Sequence, residues 1–281
     1  MAEFRRVFRV QGMDTRINPR FQMVPVDDVR FVGLHDGTGM TVTVAPIGIC
    51  AIAEVAESAL PADDRATGPT AAASGDRFFR LAGRTKGVAK VTATGGAGAI
   101  TLDIGVKDLM TQRIHFYSVH DNVGHSSTRP LAEVGEILPL LNYIFRRQAN
   151  IRMVRHGSLD DLPMTRNIVP IVVPDTPQGL GPIGDAIRAQ GILTSDINVF
   201  FVPVIEGDTD GAVWEIGSIR TGNGPGAIVF EDGAKHFALA HEIGHHLGLS
   251  HTHPANRLDI MGEASGSVLS LGKDEVNICN P

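Results

Sequence analysis

The residue types and spacings that could do chemistry lie in the C-terminal part of the 281-residue chain, where His241 and His245 are four residues apart. On a helix this spacing places both imidazoles one turn apart on the same face, so that both can reach one ion. Zinc binds imidazole nitrogens at about 2.0–2.1 Å and prefers four ligands in a tetrahedral arrangement. The spacing therefore predicts a zinc site on a helix, which we expect to run from about 234 to 247.

The third predicted ligand is His251, which requires that the chain turns after His245. If the helix continued, His251 would lie about 15 Å along the helix axis from His241. Gly248 permits the turn, because glycine reaches positive φ at little cost and often ends helices. Three protein ligands leave one position for a water molecule, which is typical of a catalytic rather than a structural zinc site.

Glu242 directly follows the first predicted ligand and is our candidate catalytic residue. Its side chain points about 100° around the helix from His241, beside the ion rather than toward it. From there a carboxylate can take a proton from the water and later pass it to a leaving amine. Zinc polarises a carbonyl and lowers the pKa of a bound water toward about 7, so the predicted reaction is peptide hydrolysis.

A methionine follows this histidine motif at position 261, within residues 258–262 (Leu-Asp-Ile-Met-Gly). A histidine–glutamate helix, a glycine turn, a third histidine and then a methionine turn together resemble the metzincin clan of zinc endopeptidases. The resemblance implies that the zinc ligands are His241, His245 and His251 and that the general base is Glu242. It also implies that the side chain of Met261 lies beneath the metal site.

Metzincins carry an upper strand that binds an extended peptide antiparallel, and residues 222–230 are our candidate for it. The resemblance covers residues 113–281 in architecture and 241–262 in specific motifs, and it reaches no named subfamily. Some subfamilies have a tyrosine two residues after the methionine. Glu263 occupies that position here, which argues against tyrosine-assisted stabilisation of an oxyanion.

The elements that must position these residues begin near Thr111. Apolar residues recur every three or four positions from 130 to 148 and predict a helix that Pro139 should kink or interrupt. Strands are predicted at 113–119, 151–154, 168–173, 197–204, 212–219 and 227–230, and a short helix at 184–190. Strands mixed with helices predict an α+β domain over 111–281, with a mixed sheet and an active-site helix of metzincin type.

Residues 1–110 have a different pattern, with short strands at regular spacing. Alternating runs at 87–94 and 100–106 flank glycines at 95, 96 and 98, which predicts a β-hairpin. We therefore expect an all-β sandwich that resembles bacterial immunoglobulin-like modules and serves in binding or targeting. The predicted organisation is two domains, 1–110 and 111–281.

Composition excludes several function classes. The net charge of −6 argues against a nucleic-acid-binding protein, because phosphate binding needs a basic face. No run of about 18 apolar residues is present, so no membrane span is expected. Cys50 and Cys279 are too few for a disulfide framework, and we expect both to be free.

The first ten residues contain arginines but no apolar stretch after them, so we expect no secretory signal peptide. The protein would then stay inside the cell or leave it by a leaderless route, unless a leader has been removed. Of these, we slightly favour export by a leaderless route. Zinc is the expected cofactor, and a protein or peptide is the expected substrate. A leaderless protease with a binding module would also suit a bacterial toxin delivered into another cell.

Several other polar residues have simpler interpretations. We expect packing or surface roles for His236 and His246, and we regard His253 as a weaker alternative to His251. Residues 120–125, which include two histidines and an aspartate, are predicted to form a solvated loop. Asp27 and Asp28 are predicted to form a solvated turn rather than a latency switch, and 208–211 a turn rather than a calcium loop. The alternative function is that of a non-catalytic adhesion protein with a protease-like domain.

Overall fold

The computed structural model describes residues 2–7, 11–61, 75–96, 98–165, 167, 171–172, 195–206, 216–219, 226–249, 260–261, 271 and 273–281. The predicted helix at 184–190, the predicted turn at 208–211, and His251 and His253 lie outside these residues. Contacts divide the chain into two compact units. The first comprises Met1–Met110, Phe145–Ile151 and Ser270–Pro281, and the second comprises Thr111–Ile144 and Arg152–Leu269.

Most of the regular structure is β-strand. In chain order the strands are β1 (Glu3–Arg6), β2 (Met13–Asp14), β3 (Arg20–Pro25), β4 (Val29–His35), β5 (Thr41–Ala45), β6 (Cys50–Val55), β7 (Arg77–Gly83), β8 (Gly87–Gly95), β9 (Gly98–Lys107), β10 (Met110–Asp121), β11 (Ile151–Met164), β12 (Ile171–Val172), β13 (Ile197–Val202), β14 (Ile205–Glu206), β15 (Ile216–Ile219) and β16 (Gly226–Glu231). The described helices are α1 (Leu131–Ala149), α2 (His236–His246) and α3 (Lys273–Cys279), with a 3₁₀ turn at Glu57–Ala59. The chain is therefore a mixed, sheet-rich protein with few helices in the part described.

The first unit contains two sheets, with strand orders β1-β4-β7-β6 and β2-β3-β9-β8-β5. Apolar side chains from both sheets form one buried cluster, in which Val32 and Leu81 of the first sheet join Leu102 and Ile104 of the second. Residues of one strand alternate between the two faces of its sheet, so each sheet directs every second side chain into this core. The unit is thus a β-sandwich, and the predicted hairpin is present as β8 paired antiparallel to β9.

Two segments from beyond residue 110 belong to the first unit, so this unit contains residues outside the expected range 1–110. The backbone N–H of Lys273 donates to Asp14 Oδ2 at 3.1 Å, and Lys273 Nζ lies 3.1 Å from Asp103 Oδ2. Asn280 Nδ2 donates to the carbonyl of Ala149 at 2.7 Å. The predicted boundary missed these segments because such hydrogen bonds join residues far apart in sequence and leave no periodic pattern.

The cysteines Cys50 and Cys279 are both free and buried. Burial raises the pKa of the Cys50 thiol to about 11 and that of Cys279 to about 12. Both thiols therefore stay protonated near neutral pH, and they pack as small apolar side chains.

The second unit contains a five-stranded sheet with the order β11-β10-β13-β16-β15. Strand β13 pairs parallel to both β10 and β16, whereas β15 pairs antiparallel to β16 at the edge. The short strands β12 and β14 form a separate parallel pair. The central strand β13 is buried at every position, and all its residues are apolar except Asn198, whose Nδ2 donates to the carbonyl of Ser195 at 3.0 Å.

Helix α1 runs through Pro139 without interruption, so of the two expected effects, a kink or an interruption, the interruption is absent. Proline has no N–H, so Pro139 cannot donate to the carbonyl of Gly135 as a helical residue normally would. Both residues are exposed, so water can bond to the carbonyl of Gly135 instead. Helix α2 packs against β15 and β16. Within the described ranges, no helix combines the length and the hydropathy that crossing a membrane requires.

Candidate metal centre

Helix α2 carries the two histidines of the predicted site and ends just after them. The backbone N–H of Gly248 donates to the carbonyl of His245, and that of Leu249 donates to the carbonyl of Gly244, both at 3.0 Å. Gly248 has φ of +102°, in the left-handed region that favours glycine. The chain therefore leaves the helix axis at Gly248, and Leu249 runs back beside the last turn.

The two imidazole rings converge on one point. The Nε2 atoms of His241 and His245 are 3.1 Å apart, and the ring planes are nearly perpendicular at 88°. Two zinc–nitrogen bonds of about 2.0–2.1 Å at a tetrahedral angle would separate the nitrogens by roughly 3.4 Å. The spacing of the donor atoms therefore fits two ligands of one zinc ion.

Backbone carbonyls determine which ring nitrogen is available. His241 Nδ1 lies 2.7 Å from the carbonyl oxygen of Ile260, and His245 Nδ1 lies 2.9 Å from that of Leu249. A carbonyl oxygen only accepts, so each Nδ1 carries the proton and each Nε2 presents its lone pair to the other ring. Two such lone pairs at 3.1 Å are stabilised only when a cation or a proton lies between them. Carbonyl partners of this kind orient histidine ligands in metal sites.

Glu242 lies beside the two imidazoles and is 7% exposed. One of its carboxylate oxygens and one nitrogen from each imidazole lie within 4.8 Å of one another, and no other such group of three occurs among the residues described. Burial raises the pKa of the Glu242 carboxyl to about 8. A cation held by the neighbouring histidines would lower this pKa, because it favours the charged form of the carboxylate.

Met261 is fully buried, and its sulfur lies close to Gly244 on α2. Sequence reasoning missed this contact and the carbonyls of Ile260 and Leu249 that hold the rings. Gly244 itself was an available signal, because a glycine in a helix interior costs about 1 kcal/mol relative to alanine and usually has a packing reason.

Two histidines outside the pair, His236 and His125, have structural partners. His236 Nε2 lies 2.7 Å from Glu133 Oε1, which joins the start of α2 to α1. His125 lies in a turn that Asp121 organises, because Asp121 Oδ1 accepts from the backbone N–H of Val123 at 3.0 Å and of His125 at 2.9 Å. The predicted solvated loop is thus present at 122–125 only, because His120 and Asp121 end strand β10 and the carboxylate of Asp121 is buried.

The acidic pair near the start of the chain forms an exposed turn between β3 and β4. Asp27 has φ of +57°, and Asp28 Oδ1 accepts from the backbone N–H of Val29 at 2.7 Å. Aspartate tolerates left-handed backbone and bonds to nearby N–H groups, so the turn explains both residues.

The predicted upper strand needs a correction. Of residues 222–230, the structure describes 226–230, which lie in β16 between β13 and β15. Both edges of β16 already have a strand partner, so β16 has no free edge for a peptide. The antiparallel edge strand is β15, which the sequence pattern placed within 212–219 without indicating its neighbours.

Comparisons with known proteins add little. No protein-family model matches the chain, and no curated protein matches it. Domains 4 and 5 of the S-layer protein SbsC match 36% of this chain and 53% of that chain, at 10% identity and a TM-score of 0.23. A chaperone–substrate complex matches 71% of this chain and 37% of that chain, at 16% identity and a TM-score of 0.36. The titin domains Z1Z2 in complex with telethonin match 41% of this chain and 57% of that chain, at 13% identity and a TM-score of 0.19.

The chain spans between 11% and 53% of the length of the S-layer structures. At these TM-scores the likenesses do not bear on function. The candidate function therefore has to be argued from the geometry of the site.

Proposed function

We propose that the second unit is a metzincin-like zinc endopeptidase that hydrolyses internal peptide bonds of proteins. The observation that carries this proposal is the convergence of two Nε2 atoms at 3.1 Å beside a buried carboxylate. Each ring donates its Nδ1 proton to a backbone carbonyl oxygen, which is the tautomer that metal binding through Nε2 requires. In this proposal the second unit is an α+β domain of metzincin type, and α2 is its active-site helix.

His251 is the proposed third ligand. The left-handed turn at Gly248 supports it, since Leu249 runs back beside α2 instead of extending the helix. The carbonyl oxygen of Leu249 lies 2.9 Å from His245 Nδ1, so Leu249 itself lies on the side of the helix on which His245 is held. A third imidazole would leave one ligand position for water, as in other catalytic zinc sites.

In the proposed reaction, zinc, Glu242 and the backbone carbonyls beside the histidines have separate roles. When bound, zinc supplies a positive charge that polarises the scissile carbonyl and acidifies a water molecule. Glu242 accepts a proton from the attacking water and later donates it to the leaving amine nitrogen. Burial raises the pKa of this carboxyl in the metal-free protein, and a bound cation would lower it again, so that the carboxylate form can accept the proton. The carbonyls of Ile260 and Leu249 keep the imidazoles in place throughout.

The substrate is proposed to bind along β15. This strand forms one edge of the five-stranded sheet and lies next to α2, against which it packs. An edge strand offers unpaired backbone N–H and C=O groups, to which an extended peptide can add as a further strand. The class of substrate that fits is therefore an unfolded or extended protein segment.

The test is metal analysis combined with casein digestion by the full chain. Wild type should bind zinc and cleave casein, 1,10-phenanthroline should inhibit it, and added zinc should restore activity. The variant Glu242→Ala should bind zinc yet lose about 10²–10⁴-fold in rate, whereas the exposed acid Glu136→Ala should cleave like wild type. If Glu242→Ala with bound zinc cleaves at the wild-type rate, the assigned base is wrong.

The alternative, adhesion by a protease-like domain without catalysis, predicts a different result in the same assay. An adhesive protein would leave casein intact with or without zinc. Glu242 and both imidazoles would then have no common purpose. The first unit is compatible with either function, because a β-sandwich does not imply an activity.

A further inference from the structure

We infer that Gly244 is a positioning residue for the first zinc ligand, His241, and that it acts through Met261. This inference rests on the proposed metal site and adds to it a residue outside the histidine motif. It concerns how the ligand is held, and neither Gly244 nor Met261 is assigned contact with the metal or the substrate.

The first observation is the close approach of Met261 to the backbone of α2. A Cβ atom placed on Gly244 would lie 2.4 Å from Met261 Sδ and 3.4 Å from both Met261 Cε and Leu249 Cδ1. Cβ atoms essentially never come within 3.0 Å of a heavy atom to which they are not linked through the neighbouring backbone. Met261 is fully buried and Leu249 is 4% exposed, so the sulfur cannot retreat into solvent. A side chain at 244 must therefore displace Met261.

The second observation links Met261 to the ligand. Met261 directly follows Ile260, whose carbonyl accepts the Nδ1 proton of His241 at 2.7 Å. Ile260 is 1% exposed, so both residues of this dipeptide are packed in the interior. One dipeptide is thus held to α2 at two points, by the sulfur against Gly244 and by the carbonyl on His241. Moving the first contact moves the carbonyl that orients the ring.

The sign of the expected effect separates this role from ordinary helix packing. Glycine is the least favourable residue after proline in a helix interior, so alanine at an unobstructed helix position stabilises the fold. Gly135 in α1 provides that matched case, since a Cβ there would meet nothing within 4 Å. At Gly244 the same substitution should instead disturb a residue that orients a metal ligand.

The experiment measures zinc affinity of the full chain by competition with a chromophoric chelator, and the visible absorption of the cobalt-loaded protein. Gly244→Ala should weaken zinc binding about 10–100-fold, the usual cost of losing a partner that orients a ligand, and should change the cobalt spectrum. Gly135→Ala should leave the affinity and the spectrum unchanged.

A second background makes the role of the sulfur testable. Met261→Ala removes the atom that obstructs position 244, so adding Gly244→Ala to it should cause no further loss of affinity. If Gly244→Ala alone fails to fold, the double variant should still fold and bind zinc as Met261→Ala does. The inference is overturned if Gly244→Ala binds zinc like wild type, or if its cost is the same in both backgrounds. Wild type that binds no zinc would instead overturn the proposed function itself.

Discussion

Two buried carboxylates, one in each unit, have pKa values shifted in opposite directions. Asp14 in the first unit is 4% exposed and Glu242 in the second is 7% exposed. Burial alone would raise the pKa of both, but hydrogen bonds from Arg16 and from the backbone of Lys273 hold the pKa of Asp14 below its ordinary value. Burial raises the pKa of Glu242 to about 8, with no opposing contribution from the residues described.

The opposite pKa shifts of Asp14 and Glu242 show that the partners of a buried acid decide whether its charged form is favoured. Asp14 has partners that favour its charged form, so its charge stabilises the fold. Glu242 lies next to two imidazoles, and its burial raises the pKa of the carboxyl and so favours the neutral form in the metal-free protein. A buried carboxyl with a raised pKa beside two imidazoles is therefore a candidate functional site, and the proposed role of Glu242 rests on it.

The largest expected difference between the two acids is in activity. Glu242→Gln should lower the rate of casein hydrolysis about 10²–10⁴-fold, because an amide cannot accept the proton. Asp14→Asn should leave the rate per folded molecule unchanged but should lower the free energy of unfolding by about 1–3 kcal/mol. Initial rates and urea unfolding of both variants check this, and equal rates for the two would contradict the assignment of the base.

The second comparison concerns the core of the β-sandwich. Leu102→Ala should lower the free energy of unfolding by about 2–5 kcal/mol, because Leu102 is fully buried between the two sheets. Val88 is 79% exposed, so Val88→Ala should change the free energy of unfolding by less than about 0.5 kcal/mol. Urea unfolding measures both. A similar cost at the two positions would show that the sandwich core is not as described.

The third comparison uses one glycine from each unit. Gly248 has φ of +102° and Gly39 has φ of +73°, so alanine at either position is strained by about 1–2 kcal/mol. Thermal unfolding should detect both losses. Only Gly248→Ala should also weaken zinc binding, since the turn at Gly248 follows His245 directly. Loss of zinc affinity in Gly39→Ala would show that the effect is general.

The smallest expected effect is the pH dependence that Asp14 contributes. Its pKa is lowered in the folded state, so its stabilising contribution is present above the ordinary value of 3.8 and is lost as the pH falls through the folded value. Wild type should therefore lose more unfolding free energy than Asp14→Asn between about pH 5 and pH 2. Urea unfolding across that range measures the difference, and parallel curves would remove Asp14 as the cause.

Local patterns predicted much of both units. Alternation at 87–94 and 100–106 predicted the hairpin of β8 and β9, and the spacing of histidines placed His241 and His245 on one face of α2. The strand pattern at 212–219 located β15 but not its neighbours. Of the predicted upper strand, 226–230 lie inside the sheet rather than at its edge, because strand order depends on contacts between residues distant in sequence.

The sequence by itself determined which possible ligands lie together, since residue types and their spacing along one helix specify which atoms share a face. The tertiary structure alone decided how that chemistry is held. The carbonyl of Ile260 is 19 positions from the ring it orients, and Met261 reaches Gly244 only because the chain returns to α2. Periodicity reports contacts within a single helix or strand, whereas such contacts depend on the path of the whole chain.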